Sequence, residues 1–146
     1  MLPLDRFFTG FYATALRAHE VLVAVEVPPL PPGARTRYLK WTPRAAEDRA
    51  LVGLAAVLAL DAGRACRIAR FGLGGVGPSP VVLRAAEASL EGQRLDAAAI
   101  ARAAEAAADE IEPIEDLQAT ADYRRDMLRV WVRRVVTGLA GDGAAA

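Results

Sequence analysis

The chain has 146 residues and a mass of 15.5 kDa, which fits one domain able to bury roughly two-thirds of its unfolded surface. Hydrophobic residues make up 53% and charged residues 25%, a balance that argues for a globular core and against disorder. Eighteen basic residues meet eighteen acidic ones, so there is none of the basic excess that nucleic acid or an anionic membrane calls for.

The single Cys66 rules out an intrachain disulfide and suits a reducing cytoplasm. The N-terminus lacks the basic start and apolar centre of a signal peptide. The longest apolar run, residues 50–60, is too short to cross a bilayer.

Residues 3–19 mix Phe7, Phe8, Phe11 and Tyr12 with Gly10. They read as a short turn of helix and then an ordered loop laid on the core by its aromatics. His19 is the only histidine, and without a cluster of ligands around it a surface or loop role is expected rather than metal binding. Residues 20–27, E-V-L-V-A-V-E-V, are β-branched and stopped by Pro28-Pro29, which reads as a strand. The proline run 28–33 is a stiff connecting loop, with a polyproline ligand as the other reading. Residues 35–41 resume an extended pattern, and residues 42–49 form a charged, exposed loop.

In residues 50–60, Val52, Leu54, Leu58 and Leu60 share one parity, while Gly53, Ala55 and Ala59 share the other. One bulky face and one small face fit a strand covered by helices on its bulky side. Residues 61–64 turn the chain into a second strand, 65–73, antiparallel to the first. After Pro78 and Pro80, residues 81–90 show helical spacing that ends before Gly92. Asp96 is the expected N-cap of a second helix to about Ala108, and Glu112-Pro113 breaks it. Residues 123–139 form the longest amphipathic helix, with Leu128, Trp131, Val132, Val135 and Leu139 at three- and four-residue steps. Arg124, Arg125, Arg129, Arg133 and Arg134 fall on its polar side, as solvated surface or as a face for a partner or an anionic cofactor. The order of strands first and helices later predicts an α+β fold. The expectation is a small antiparallel sheet of three to four strands packed against about three C-terminal helices.

Gly72, Gly74 and Gly77 spell G-x-G-x-x-G, the dinucleotide-binding fingerprint. That motif needs a helix beginning within the glycines, so that its first amides meet a pyrophosphate, and an acidic residue about twenty positions on at a second strand. Here prolines delay the helix, the preceding strand belongs to an antiparallel hairpin, and Asp96 sits at a helix start. The glycines are therefore read as a turn in which Gly74, Gly75 and Gly77 permit close backbone approach.

The run Arg67-Ile68-Ala69-Arg70-Phe71-Gly72-Leu73-Gly74-Gly75-Val76-Gly77-Pro78-Ser79-Pro80 resembles the "ARIALGGVGPTP" signature of the flavoprotein (medium) subunits of molybdenum hydroxylases, the carbon monoxide dehydrogenase and xanthine dehydrogenase family. Other stretches resemble it in order. Arg6 to Gly10 is similar to "DFFTG", and Glu20 to Pro28 to "E-L-L…I-x-I-P". Tyr38-Leu39-Lys40, Arg44, Asp48 and Leu51 to Ala55 are similar to "Y-x-K…R…D-F…V-x-V-A". Ala119 to Arg134 is similar to "A-S-A-E-Y-R-R-H…V-L-V-R-R-A".

The resemblance covers the C-terminal domain of that subunit and implies a division into a link-like segment 1–19, the domain proper at 20–140 and a disordered tail 141–146. It implies FAD as the cofactor, held mainly by a domain outside this chain. It also implies iron–sulfur and molybdenum subunits as partners, in a complex that passes electrons to FAD and an acceptor. Leu22 corresponds to an apolar FAD contact and Lys40 to a lysine near the isoalloxazine ring. Residues 44–48, including Arg44 and Asp48, correspond to a charged loop beside the flavin. Arg49 departs from the apolar residue that usually follows the aspartate. On this reading the chain alone is not an active oxidoreductase. The alternative is a stand-alone interaction module that kept the fold and lost the flavin, with direct NAD binding third.

Overall fold

The apolar run with one bulky and one small face lies at the centre of the sheet. The strand it forms, β4 (Val52–Leu60), lies between β3 (Arg35–Trp41) and β5 (Cys66–Gly74), antiparallel to both. In this computed structural model, residues 1–43 and 49–141 are described. A two-residue strand, β6 (Val81–Val82), completes a four-stranded sheet in the order β3-β4-β5-β6. Asp61 closes the β4–β5 turn by accepting the Ala65 amide at 2.8 Å. Three helices follow: α1 (Arg84–Leu90), α2 (Ala97–Asp109) and α3 (Ala121–Ala140). The arrangement is α+β.

The parity argument for β4 holds at the level of side chains. Val52, Leu54, Ala56 and Leu58 are buried in one cluster with Phe71 and Leu73 of β5, Leu83 and Leu90 around α1, and Leu128, Val132 and Val135 of α3. Each fully buried Leu or Phe contributes about 1.5–3 kcal/mol relative to exposure. Ala99, Ala103, Ala104, Ala107 and Ala108 of α2 are also buried. Side chains that small let neighbouring helices approach closely.

The Asp96 cap is the one expected from the sequence, whereas the third helix begins at Ala121, two residues before the expected start, behind a Thr120 cap. Asp96 accepts the Ala99 amide at 2.8 Å to start α2, and Thr120 Oγ1 accepts the Tyr123 amide at 3.2 Å to start α3. At the other end of α3, Arg35 donates to the Leu139 carbonyl at 3.1 Å and Arg64 to the Ala140 carbonyl at 2.6 Å. Two cations thus satisfy carbonyls that the helix leaves without intrahelical partners.

Four expectations are corrected. Residues 20–27 form no strand: Val21, Val23, Val25 and Val27 are exposed. β-branched residues favour an extended backbone, but a strand also needs a neighbour, and no described strand pairs with this segment. Residues 3–19 do not lie on the core. They form a 3-10 turn, Leu4–Arg6, and a short hairpin of β1 (Phe8–Gly10) and β2 (Ala13–Thr14), with Phe8, Phe11 and Tyr12 exposed. The helix expected over 81–90 starts only at Arg84, because Val81 and Val82 pair with Leu73 and Gly72 along the edge of β5. Arg124 is not on a solvated face but 1% exposed. The expected tail beyond Gly141 lies outside the described residues. No helix among the described residues is long and apolar enough to cross a membrane.

Candidate functional site

Because the helices cover only the Val52–Leu54–Leu58 side, the opposite side of the sheet is partly open: Ala55 is exposed on it, while Gly53 and Ala59 are buried. Its composition follows from the register. Lys40 pairs with Gly53, and Gly53 with Gly74. Tyr38 pairs with Ala55, Ala55 with Gly72, and Gly72 with Val82. Strand alternation puts these residues on one face, so the sheet presents a floor of glycine and alanine. Tyr38 lies over it: a Cβ added to Gly53 would meet the Tyr38 hydroxyl at 3.0 Å. A shallow depression of about 570 Å³ runs along this face past Thr36, Tyr38, Ala55, Gly72 and Val82.

Tyr38 also lines a second cleft of about 560 Å³ at the end of the sheet, with Tyr12, Lys40, Arg49, Gly75 and Arg124. Lys40, the only lysine of the chain, stands on the floor's edge, exposed, with no ion-pair partner among the described residues. Asp116 also lines this cleft, but it is bound to Arg124. Burial raises the Asp116 carboxyl. The Gln118 and Ala119 amides and the Arg124 guanidinium outweigh that and hold it below the usual aspartate range. The cleft thus combines a free ammonium, an exposed guanidinium at Arg49 and two phenols, and Tyr38 joins it to the depression lined by Ala55 and Gly72.

The glycine turn forms one wall. Gly75 has φ +82°, and a Cβ there would stand 2.5 Å from the Ala50 carbonyl oxygen. Gly74 has open space around its Cβ position and Gly77 only an ordinary contact, so close approach is confined to Gly75. β5 pairs antiparallel on both sides and α1 begins at Arg84, so no helix start reaches the glycines. The turn is a junction in this protein and has none of the context of a pyrophosphate loop.

Of the site residues read from sequence, Lys40 sits in the cleft. Leu22 is 51% exposed and lines a different groove, of about 520 Å³, with Leu4, Phe8, Leu16 and Val23. Leu22 and Lys40 thus line different pockets. Arg44 and Asp48 lie outside the described residues. Tyr38, Asp116 and Arg124 were not picked out as site residues. Arg124 carried a signal: it lies four residues before Leu128, on the stripe continued by Val132 and Val135. A charge on the buried stripe of a helix needs buried partners.

The family described as the CO dehydrogenase flavoprotein C-terminal domain matches residues 37–139. The chain belongs to that family. It is similar to the carbon monoxide dehydrogenase medium chain of Hydrogenophaga pseudoflava, at 33% identity over 92% of this chain and 46% of the relative. It is also similar to the xanthine dehydrogenase FAD-binding subunit of Escherichia coli O157:H7, at 25% identity over 93% of this chain and 47% of the relative. The solved Hydrogenophaga pseudoflava carbon monoxide dehydrogenase superposes with a TM-score of 0.84 and 35% identity, over 92% of this chain and 46% of that one. Quinoline 2-oxidoreductase from Pseudomonas putida 86 gives 0.82 and 34%, with the same coverage. The chain therefore spans about half the length of these relatives.

Proposed function

We propose that this domain covers the flavin of a molybdenum hydroxylase flavoprotein subunit, with FAD held mainly by another part of the same chain or by a separate one. The reading extends to a complex in which a molybdenum subunit oxidises the substrate, iron–sulfur clusters relay electrons, and FAD passes them to an acceptor. Family membership supports the cofactor class, and the partly open sheet face supports the placement.

The face fits a planar ring system. Ala55, which is exposed, and Gly72 and Gly74, which are half-buried, have no side chain beyond a methyl, so a flat aromatic group can approach the backbone closely there. Tyr38 offers a phenol beside that floor, and Lys40 offers an uncompensated positive charge at its edge. When bound, FAD would supply reversible storage of an electron pair between relay and acceptor. The Lys40 ammonium would offset negative charge gained by the ring on reduction. Leu22 would add an apolar contact, and Arg44 and Asp48 would belong to the charged loop beside the ring. The observation that carries the reading is that the chain's single lysine pairs with Gly53 at the edge of a small-residue face on which Ala55 is exposed and Gly72 and Gly74 are half-buried.

The test is a flavin measurement on the FAD-loaded subunit containing this domain. Lys40→Ala is expected to move the midpoint potential negative by roughly 20–40 mV, since 30 mV is about 1.4 kcal/mol for a two-electron couple, and to perturb the visible flavin band. Lys40→Arg should keep most of the wild-type potential. An unchanged spectrum and potential in Lys40→Ala would remove Lys40 from the flavin site.

A further inference from the structure

The guanidinium of Arg124 reaches three separate segments of the chain at the inner wall of the cleft, two through backbone carbonyls and one through a carboxylate. Nη1 donates to the carbonyls of Leu51, at 2.7 Å, and Gly75, at 3.1 Å, while Nη2 donates to Asp116 Oδ2 at 2.8 Å. Asp116 in turn accepts the amides of Gln118, at 2.9 Å, and Ala119, at 3.0 Å. Each piece borders the cleft. Leu51 follows the charged loop, and its amide donates to the Trp41 carbonyl, one residue past Lys40, at 2.8 Å. Gly75 belongs to the glycine turn. The segment 114–119 is tied to that turn by the Ile114 amide on the Val76 carbonyl at 2.8 Å.

We propose that Arg124, held by Asp116, is a positioning residue that sets the shape of this cleft and the placement of Lys40 within it. Its consequence for flavin rests on the function proposed above; the clamp itself does not.

The chemistry favours this over a stabilising role alone. A buried guanidinium is expensive to desolvate, and apolar replacements of buried ion pairs are often neutral or stabilising. Here Arg124 Nε is buried without a partner among the described residues, an added cost. What an apolar side chain cannot do is bind two carbonyls and a carboxylate from three segments at once. Arginine's rigid fork can, and it fixes the exit of the loop against the turn where Gly75 and Ala50 already touch.

The experiment needs no flavin. The chain carries one lysine, so reductive methylation with ¹³C gives a single lysine methyl signal, separate from that of the N-terminal amine. Amide exchange is measured on the same samples for Arg124→Gln, Asp116→Asn and a control, Arg129→Gln, whose side chain lies on the surface of the same helix and pairs with Asp126 and with Glu105 of α2. In Arg124→Gln the amides of Leu51, Ile114, Gln118 and Ala119, and in Asp116→Asn those of Leu51 and Ile114, should exchange about tenfold faster or more, as loss of one hydrogen bond of ordinary net strength brings. The Lys40 signal should shift, while α1 and α2 keep wild-type protection and the control changes none of these. Wild-type local exchange and an unmoved Lys40 signal overturn the proposal. So does faster exchange spread evenly over the sheet and helices, because that is loss of global stability. If Arg124→Gln does not fold, Asp116→Asn decides alone, since asparagine retains an oxygen for the Gln118 and Ala119 amides.

Discussion

Gly75 and Arg124 show how the chemistry of a single position departs from the letters around it. The fingerprint spelled by Gly72, Gly74 and Gly77 omits Gly75, the residue that combines a left-handed backbone with a clash at its Cβ position. Spacing alone could not single it out, because the demand comes from the Ala50 carbonyl, 25 residues earlier in the chain. Gly75→Ala should destabilise the protein by about 1–3 kcal/mol, the usual strain of a side chain forced into such a backbone. Gly74→Ala, with open space at its Cβ position, should change stability by less than about 0.5 kcal/mol. Urea unfolding of the two variants gives the comparison, and equal midpoints would contradict the contact. Arg124 was legible in principle through its place on the Leu128 stripe, but Leu51 and Gly75 lie 73 and 49 residues away, and Asp116, eight residues away, lies outside the helix, so no local pattern joins the three.

At the scale of elements, the sequence is most readable where side-chain pattern and capping chemistry agree. The alternation of Val52, Leu54 and Leu58 against Gly53 and Ala55 announced the face that the helices cover, and Asp96 and the spacing from Leu128 to Leu139 announced α2 and α3. The same alternation also carried half of the site, since the small parity of β4 is the floor beneath Tyr38. Residues 20–27 misled because propensity is a property of a segment and pairing is a property of two. With four valines exposed and no described strand beside it, the segment's amides should exchange in this chain at close to free-peptide rates. Val23→Asp, at a side chain 92% exposed, should change stability by less than about 0.5 kcal/mol. Strong amide protection across 20–27 in the chain by itself would show that a pairing exists and that this account of the segment is wrong.

For the molecule as a whole, equal numbers of acidic and basic residues leave stability to local pairs rather than to net repulsion. Three carboxylates sit below their usual range: Glu91 through its bond to Arg70, Glu105 through Arg129, and Asp116 by the amides and guanidinium described above. A carboxyl depressed on folding contributes stability above its unfolded pKa, and that contribution disappears as pH falls through its folded value. Thermal stability should therefore be flat above about pH 5 and decline below about pH 4, where unperturbed carboxylates begin to protonate. The three do not weigh equally. Glu91 and Glu105 are 40% and 49% exposed, so their pairs are worth little and are screened by salt. Asp116 faces a buried guanidinium and two backbone amides, whose bonds salt does not screen to the same degree. Melting curves from pH 7 to pH 3 at low and high salt separate these contributions. Asp116→Asn should melt lower at pH 7 and show a shallower acid decline, and the difference from wild type should persist at high salt. An acid limb parallel to that of the wild type would mean that Asp116 is not held by Arg124 in solution, and the clamp would lose its anchor.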